Sequence, residues 1–157
     1  MGNPAIVIVP GALHTPEHYF GIVDRLHDLG YSATAVVMPS LNSNPPLKTW
    51  TEDVEAIRQA SKQFVDAGQD VVYVGHSYSG VLISEAAKGL SRKDRSPSAG
   101  QGAVVGLLYL CAIACPVGMS LIRQLEPTTG EEEEAFRGVH ARAGGLGPDE
   151  VWEMKDY

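Results

Sequence analysis

A chain of 157 residues, 44% hydrophobic and 20% charged, has room for one domain with a sizeable core. Its net charge of -7 is uneven, with -5 falling on residues 123–157, and this balance excludes nucleic acid and anionic membrane as expected partners. The first residues lack a signal-peptide pattern, no apolar stretch reaches membrane-span length, and Cys111 and Cys115 are poorly spaced for a disulfide, so a cytoplasmic chain is expected.

The elements alternate between strand and helix. Ala5 to Val9 is an unbroken run of small and β-branched residues ended by Pro10-Gly11, which predicts a buried strand. Thr15-Pro16 supplies an N-cap and a proline at the first helical position. Tyr19, Ile22, Val23, Leu26 and Leu29 then follow at helical spacing, with Gly30 as terminator. A second strand is predicted over Ala33 to Met38. A second helix should open near Thr49 and Glu52, which have capping-box spacing, and bury Val54, Ile57, Ala60, Phe64 and Val65 before Gly68.

Val71 to Val74 is the third predicted strand. After Ser77 comes a helix with Leu82, Ile83, Ala86, Ala87 and Leu90 on its inner side. A polar loop, Arg92 to Gly102, leads to an apolar fourth strand from Val104 to about Ala112. Continuous apolar strands separated by amphipathic helices predict an α/β fold, a parallel sheet of about four strands with helices on both faces. Beyond Pro116 the strand signal stops. Glu131 to Arg142 and Pro148 to Met154 read as helical, giving a core over residues 1–120 and a cap-like helical tail over 121–157.

The chemistry concentrates in Val71-Val-Tyr-Val-Gly-His-Ser-Tyr-Ser-Gly80. A serine on a sharp strand-to-helix turn is a nucleophile elbow, which holds the hydroxyl clear of its neighbours. Ser77 is the candidate nucleophile. The backbone N–H of Tyr78 and, from the loop after the first strand, that of Ala12 are the candidate oxyanion donors. Leu13, His14, Ala112 and Ile113 are candidate pocket residues, and His140 is a weak candidate base. No cofactor is expected: the G-x-G-x-x-G spacing is missing after the first strand, Val81-Leu82 stand where a phosphate loop needs Lys and Ser/Thr, and no cluster has metal-ligand spacing.

Val9-Pro-Gly-Ala-Leu-His14 together with Gly75-His-Ser-Tyr-Ser-Gly80 resembles the α/β-hydrolase fold. The likeness is greatest to the small esterase branch that contains plant methylesterases, hydroxynitrile lyases and many fungal hydrolases, and it covers residues 5 to about 120. It implies a serine hydrolase acting on an ester of a small, mostly apolar metabolite, with secondary metabolism as its setting. Three departures stand out. Pro10 replaces the usual histidine before Gly11, and Ser79 replaces an elbow glycine. The strands that would bring the acid and the histidine, in the order Ser, Asp or Glu, His, are missing. The alternative is therefore a truncated, non-catalytic hydrolase acting as a binding module or needing a complementing chain. The apolar edge Val104 to Ala112 would then drive self-association or accept that chain.

Overall fold

A computed structural model of the chain describes residues 2–95, 100–119 and 121. The chain divides into two compact units, Met1–Ala114 and Cys115–Tyr157. The expected helices over 131–142 and 148–154, and His140, lie outside the described residues.

The first unit contains four parallel strands: β1 (Ala5–Val9), β2 (Ala33–Ala35), β3 (Val71–His76) and β4 (Val104–Leu110). They are ordered β2-β1-β3-β4, with Ile8 opposite Ala35 on one side and Val74 on the other. A single-turn 3₁₀ segment (Pro16–Tyr19) leads into α1 (Phe20–Asp28), and among the described residues α2 (Thr51–Asp66) and α3 (Ser79–Ala86) follow. This is the parallel, helix-covered sheet expected from the apolar runs.

β1 and β3 lie at the centre, where flanking strands satisfy both backbone edges and helices bury the side chains. Val7, Val9, Val71 and Tyr73 are fully buried against Ile57 and Val65 of α2 and Leu82, Ile83 and Ala86 of α3. β2 is half the predicted length. It pairs with β1 alone, yet Val36 still donates to the Ile8 carbonyl (2.9 Å), and Val36 and Met38 remain buried. The side chains of the expected second strand therefore reach the core beyond the end of regular pairing.

Two further expectations change. α1 contains no buried residue, and Ile22 and Leu29 are exposed, because this helix packs mainly on the short edge strand β2. α2 begins at Thr51 with Trp50 as its N-cap, and the Thr49 hydroxyl instead donates to the Glu52 carboxylate at 3.3 Å.

β4 is tied down at its start. Gly102 donates to the Val65 carbonyl (2.8 Å), Ala103 to Asp70 Oδ1 (3.1 Å) and Val104 to the Leu90 carbonyl (2.9 Å). A side chain on Gly102 has no space, since a Cβ there would lie 1.9 Å from the Gln69 carbonyl oxygen. Toward its other end the strand is bare: Leu108, Tyr109 and Leu110 are exposed, as is Val105 near its start. Among the described residues the helices leave this end of β4 uncovered, as expected for an exposed apolar edge.

Candidate active site

The chain order places β2 on one side of β1 and β3 on the other. The loops leaving β1 and β3 thus diverge above the sheet, at the kind of switch point where open α/β sheets bind ligands. Ala12, Leu13, His14, Ser77, Tyr78, Ala112 and Ile113, singled out in the sequence, lie at the ends of β1, β3 and β4 on this edge.

Ser77 follows β3 directly and has φ of +57°, a left-handed conformation that strains a residue bearing a Cβ. The turn is fixed by its neighbours. Ser77 donates to the Leu110 carbonyl (3.3 Å), and its own carbonyl accepts from Ile113 N–H (3.0 Å) and Gly80 N–H (3.3 Å). Two glycines make room for the reversal. A Cβ on Gly75 would lie 2.9 Å from the Ser79 carbonyl oxygen, and one on Gly80 would lie 2.3 Å from that of Ile113. Ile113 and Ala112 therefore border the elbow, both half-buried.

The loop after β1 closes against this turn. A Cβ on Gly11 would come within 2.7 Å of His76 Nδ1 and 3.3 Å of Ser77 Cβ, so only glycine permits the approach. His14 N–H donates to the Gly11 carbonyl (3.1 Å), closing a tight turn in which Leu13 has φ of +63°. Leu13 is 71% exposed, so it borders open surface where the sequence suggested a pocket wall. Strain of this kind costs on the order of 1–3 kcal/mol per residue and is characteristic of functional sites. Among the described residues, three of the four non-glycine residues with positive φ, Leu13, Ser77 and Cys111, immediately follow or lie a few residues beyond the ends of β1, β3 and β4.

Among the described residues, the backbone N–H groups of Ala12 and Tyr78 donate to no protein acceptor, and Ser77 Oγ makes no hydrogen bond. Tyr78 stands at the start of α3, where the helix end favours negative charge.

Two side chains behave differently from their sequence reading. Tyr19, expected in an apolar helical stripe, is buried with its hydroxyl 3.1 Å from Gly11 N and 2.7 Å from His76 Nδ1. Ser79, which replaces the elbow glycine, is fully buried and donates its hydroxyl proton to the Pro10 carbonyl. His76, the residue before Ser77, packs against the His14 and Tyr19 rings and is hydrogen-bonded to the Tyr19 hydroxyl. His14 donates from Nδ1 to the Ala12 carbonyl at 2.8 Å, which leaves Nε2 unprotonated in the neutral ring. Its ring packs edge-on against His76, with centroids 5.2 Å apart.

Sequence reasoning also missed Asp53. This carboxylate, 1% exposed, accepts from Ser40 N–H (2.8 Å) and the Tyr78 hydroxyl (3.2 Å), joining α2 and the loop after β2 to the elbow. Burial, followed by the nearby Asp53 charge, pushes the Tyr78 phenol up to about 12. The signal was present: Asp53, Ile57, Ser61 and Val65 share one i, i+4 row, and all four are buried. A groove lined by Glu55, Arg58, Lys62 and Arg95 borders the opposite end of the strands and takes no part in this arrangement. No group of three His, Cys, Asp or Glu side chains among the described residues is placed to hold a metal ion.

The alpha/beta hydrolase family model matches residues 6–156. The chain belongs to the α/β-hydrolase family. It is 69% identical over 137 residues to "Alpha/beta hydrolase nvfD" of Aspergillus novofumigatus, an alignment covering 87% of this chain and 54% of that protein. It is also 32% identical over 122 residues to "Probable hydrolase R7" of a Phoma species, covering 76% of this chain and 47% of that protein. The chain thus spans about half the length of the curated relatives it matches. The described residues include the turn at Ser77, the loop facing it, and β1 and β3, which carry both. No helix among the described residues is long and apolar enough to cross a membrane.

Proposed function

We propose that this chain carries the nucleophile and oxyanion site of a serine hydrolase that cleaves an ester of a small, mostly apolar metabolite. Ser77 Oγ attacks the ester carbonyl, forming the Oγ–C bond. The carbonyl oxygen takes negative charge beside the N–H groups of Ala12 and Tyr78, and collapse expels the alcohol, which receives the proton lost by Ser77. Water then hydrolyses the acyl-serine. The observation that carries this reading is the left-handed Ser77 at the end of β3, with the Gly11 loop in contact beside it. The relatives' names, both hydrolases, agree with the reaction class. The free thiols of Cys111, which is exposed, and Cys115 favour a cytoplasmic setting.

The test is covalent labelling by a fluorophosphonate probe together with turnover of a p-nitrophenyl ester. Both signals should disappear in Ser77→Ala. For a complete serine triad such a change costs on the order of 10⁶ in turnover. Labelling that survives Ser77→Ala would overturn the assignment.

A second reading is favoured by one specific observation, the exposed apolar end of β4. Here the chain is a binding module whose bare strand pairs with a complementing chain or a second copy. Light scattering at micromolar concentration separates the two: association that weakens in Leu108→Lys supports the second reading, and a stable monomer counts against it.

A further inference from the structure

The peptide unit joining Pro10 to Gly11 is held at both of its polar atoms. Its carbonyl accepts from the fully buried Ser79 hydroxyl, and its N–H donates to Tyr19 Oη at 3.1 Å. Tyr19 Oη lies 2.7 Å from His76 Nδ1, and Tyr19 as a residue is 5% exposed. A phenol has one proton to give. Among the described residues His76 Nδ1 is its hydrogen-bonding acceptor, so donation to that nitrogen satisfies both groups and places the neutral ring's proton on Nε2. A directed line therefore runs from Gly11 N–H through the Tyr19 hydroxyl to His76, the residue before Ser77.

Peptide planarity gives this arrangement a consequence. Once the carbonyl and N–H of one unit are both fixed, its plane is fixed. The next N–H along the chain, that of Ala12, can then be re-aimed only by rotation within Gly11. Gly11 itself has no room to move toward the elbow, because its Cβ position is already within contact of His76 and Ser77.

We propose that Ser79 and Tyr19 are positioning residues that hold the Ala12 N–H in place beside Ser77, acting through the Pro10–Gly11 peptide and His76. The role rests on the reading of Ala12 as an oxyanion donor. It also explains how the elbow accommodates serine where the fold pattern has glycine: the hydroxyl in that tight space grips the facing loop.

The test uses Tyr19→Phe, Ser79→Ala and Ser79→Gly, each checked for an intact thermal transition, with two readouts. The first is ¹⁵N NMR of the full chain. His76 should show unprotonated Nδ1 and protonated Nε2, and in Tyr19→Phe this tautomer preference should fall while Gly11 amide exchange rises at least tenfold. The second is the rate of fluorophosphonate labelling at Ser77. It should fall by about a hundredfold in Tyr19→Phe and Ser79→Ala, as expected for a misplaced catalytic donor. A protonated His76 Nδ1, or a Gly11 amide that is indifferent to Tyr19→Phe, overturns the clamp whatever the labelling shows. Variants that lose the NMR signatures but label at the wild-type rate overturn its positioning role. A wild-type chain with these signatures that is never labelled removes the Ser77 reading, and the positioning role falls with it, while the hydrogen-bonded line remains.

Discussion

β3 and β4 are neighbours in one sheet, pair in parallel over most of their lengths, and are both rich in apolar residues. Their surroundings differ. Every residue of β3 is at least half-buried, whereas β4 starts buried and ends with Leu108, Tyr109 and Leu110 exposed. An apolar run shows what a strand is able to bury. Whether anything covers it depends on elements elsewhere in the chain or beyond it, and that information is not local.

The same substitution on the two sides of this contrast should give different results. Leu82→Ala removes a fully buried side chain packed in the core with β3 and should destabilise the chain by about 2–5 kcal/mol. Leu108→Ala, at a residue 49% exposed, should cost less than about 1 kcal/mol. Urea unfolding of both variants measures the gap, and equal losses would mean that the end of β4 is covered in solution.

A smaller effect is expected within β3's own helix contacts. Ser61 Oγ lies 2.7 Å from the buried Tyr73 hydroxyl, so Ser61→Ala leaves that phenol short of a partner and should cost about 1–3 kcal/mol. Ser77→Gly should be more stable than Ser77→Ala by about 1 kcal/mol, because glycine alone relieves the left-handed turn. Equal stabilities would show that the turn is relaxed.

The mildest probe is alkaline pH. Tyr78 has its pKa raised to about 12 by burial first and Asp53 second, above the ordinary phenol value of 10.0. The folded chain then holds this proton more tightly than the unfolded chain. Its stabilising contribution is complete below pH 10 and is lost as pH rises through about 12. In Tyr78→Phe the stability should fall less steeply across that window, as followed by urea midpoints at successive pH values.

Much of this architecture was legible because its signals are local. β1 and β3 follow from β-branched runs with breakers at Pro10 and Ser77, and the elbow from a serine between strand and helix patterns. What escaped depends on distant partners. Tyr19 looks like a helical apolar residue until Gly11 and His76 are beside it. Ser79 reads as an intrusion until the Pro10 carbonyl supplies an acceptor. Asp53 and Ser61 sit on the buried row of α2, where an apolar count passes over them. β2 ends early for the opposite reason, since regular pairing stops at Ala35 and only the Val36 N–H still reaches β1, while Val36 and Met38 keep their apolar pattern and their burial.

The Ser77 amide is bonded to the carbonyl of Leu110, the last residue of β4 and one of its exposed ones. The Ser77 turn is thus moored to the least sheltered length of the sheet, and one hydrogen bond joins its backbone mechanically to that exposed rim.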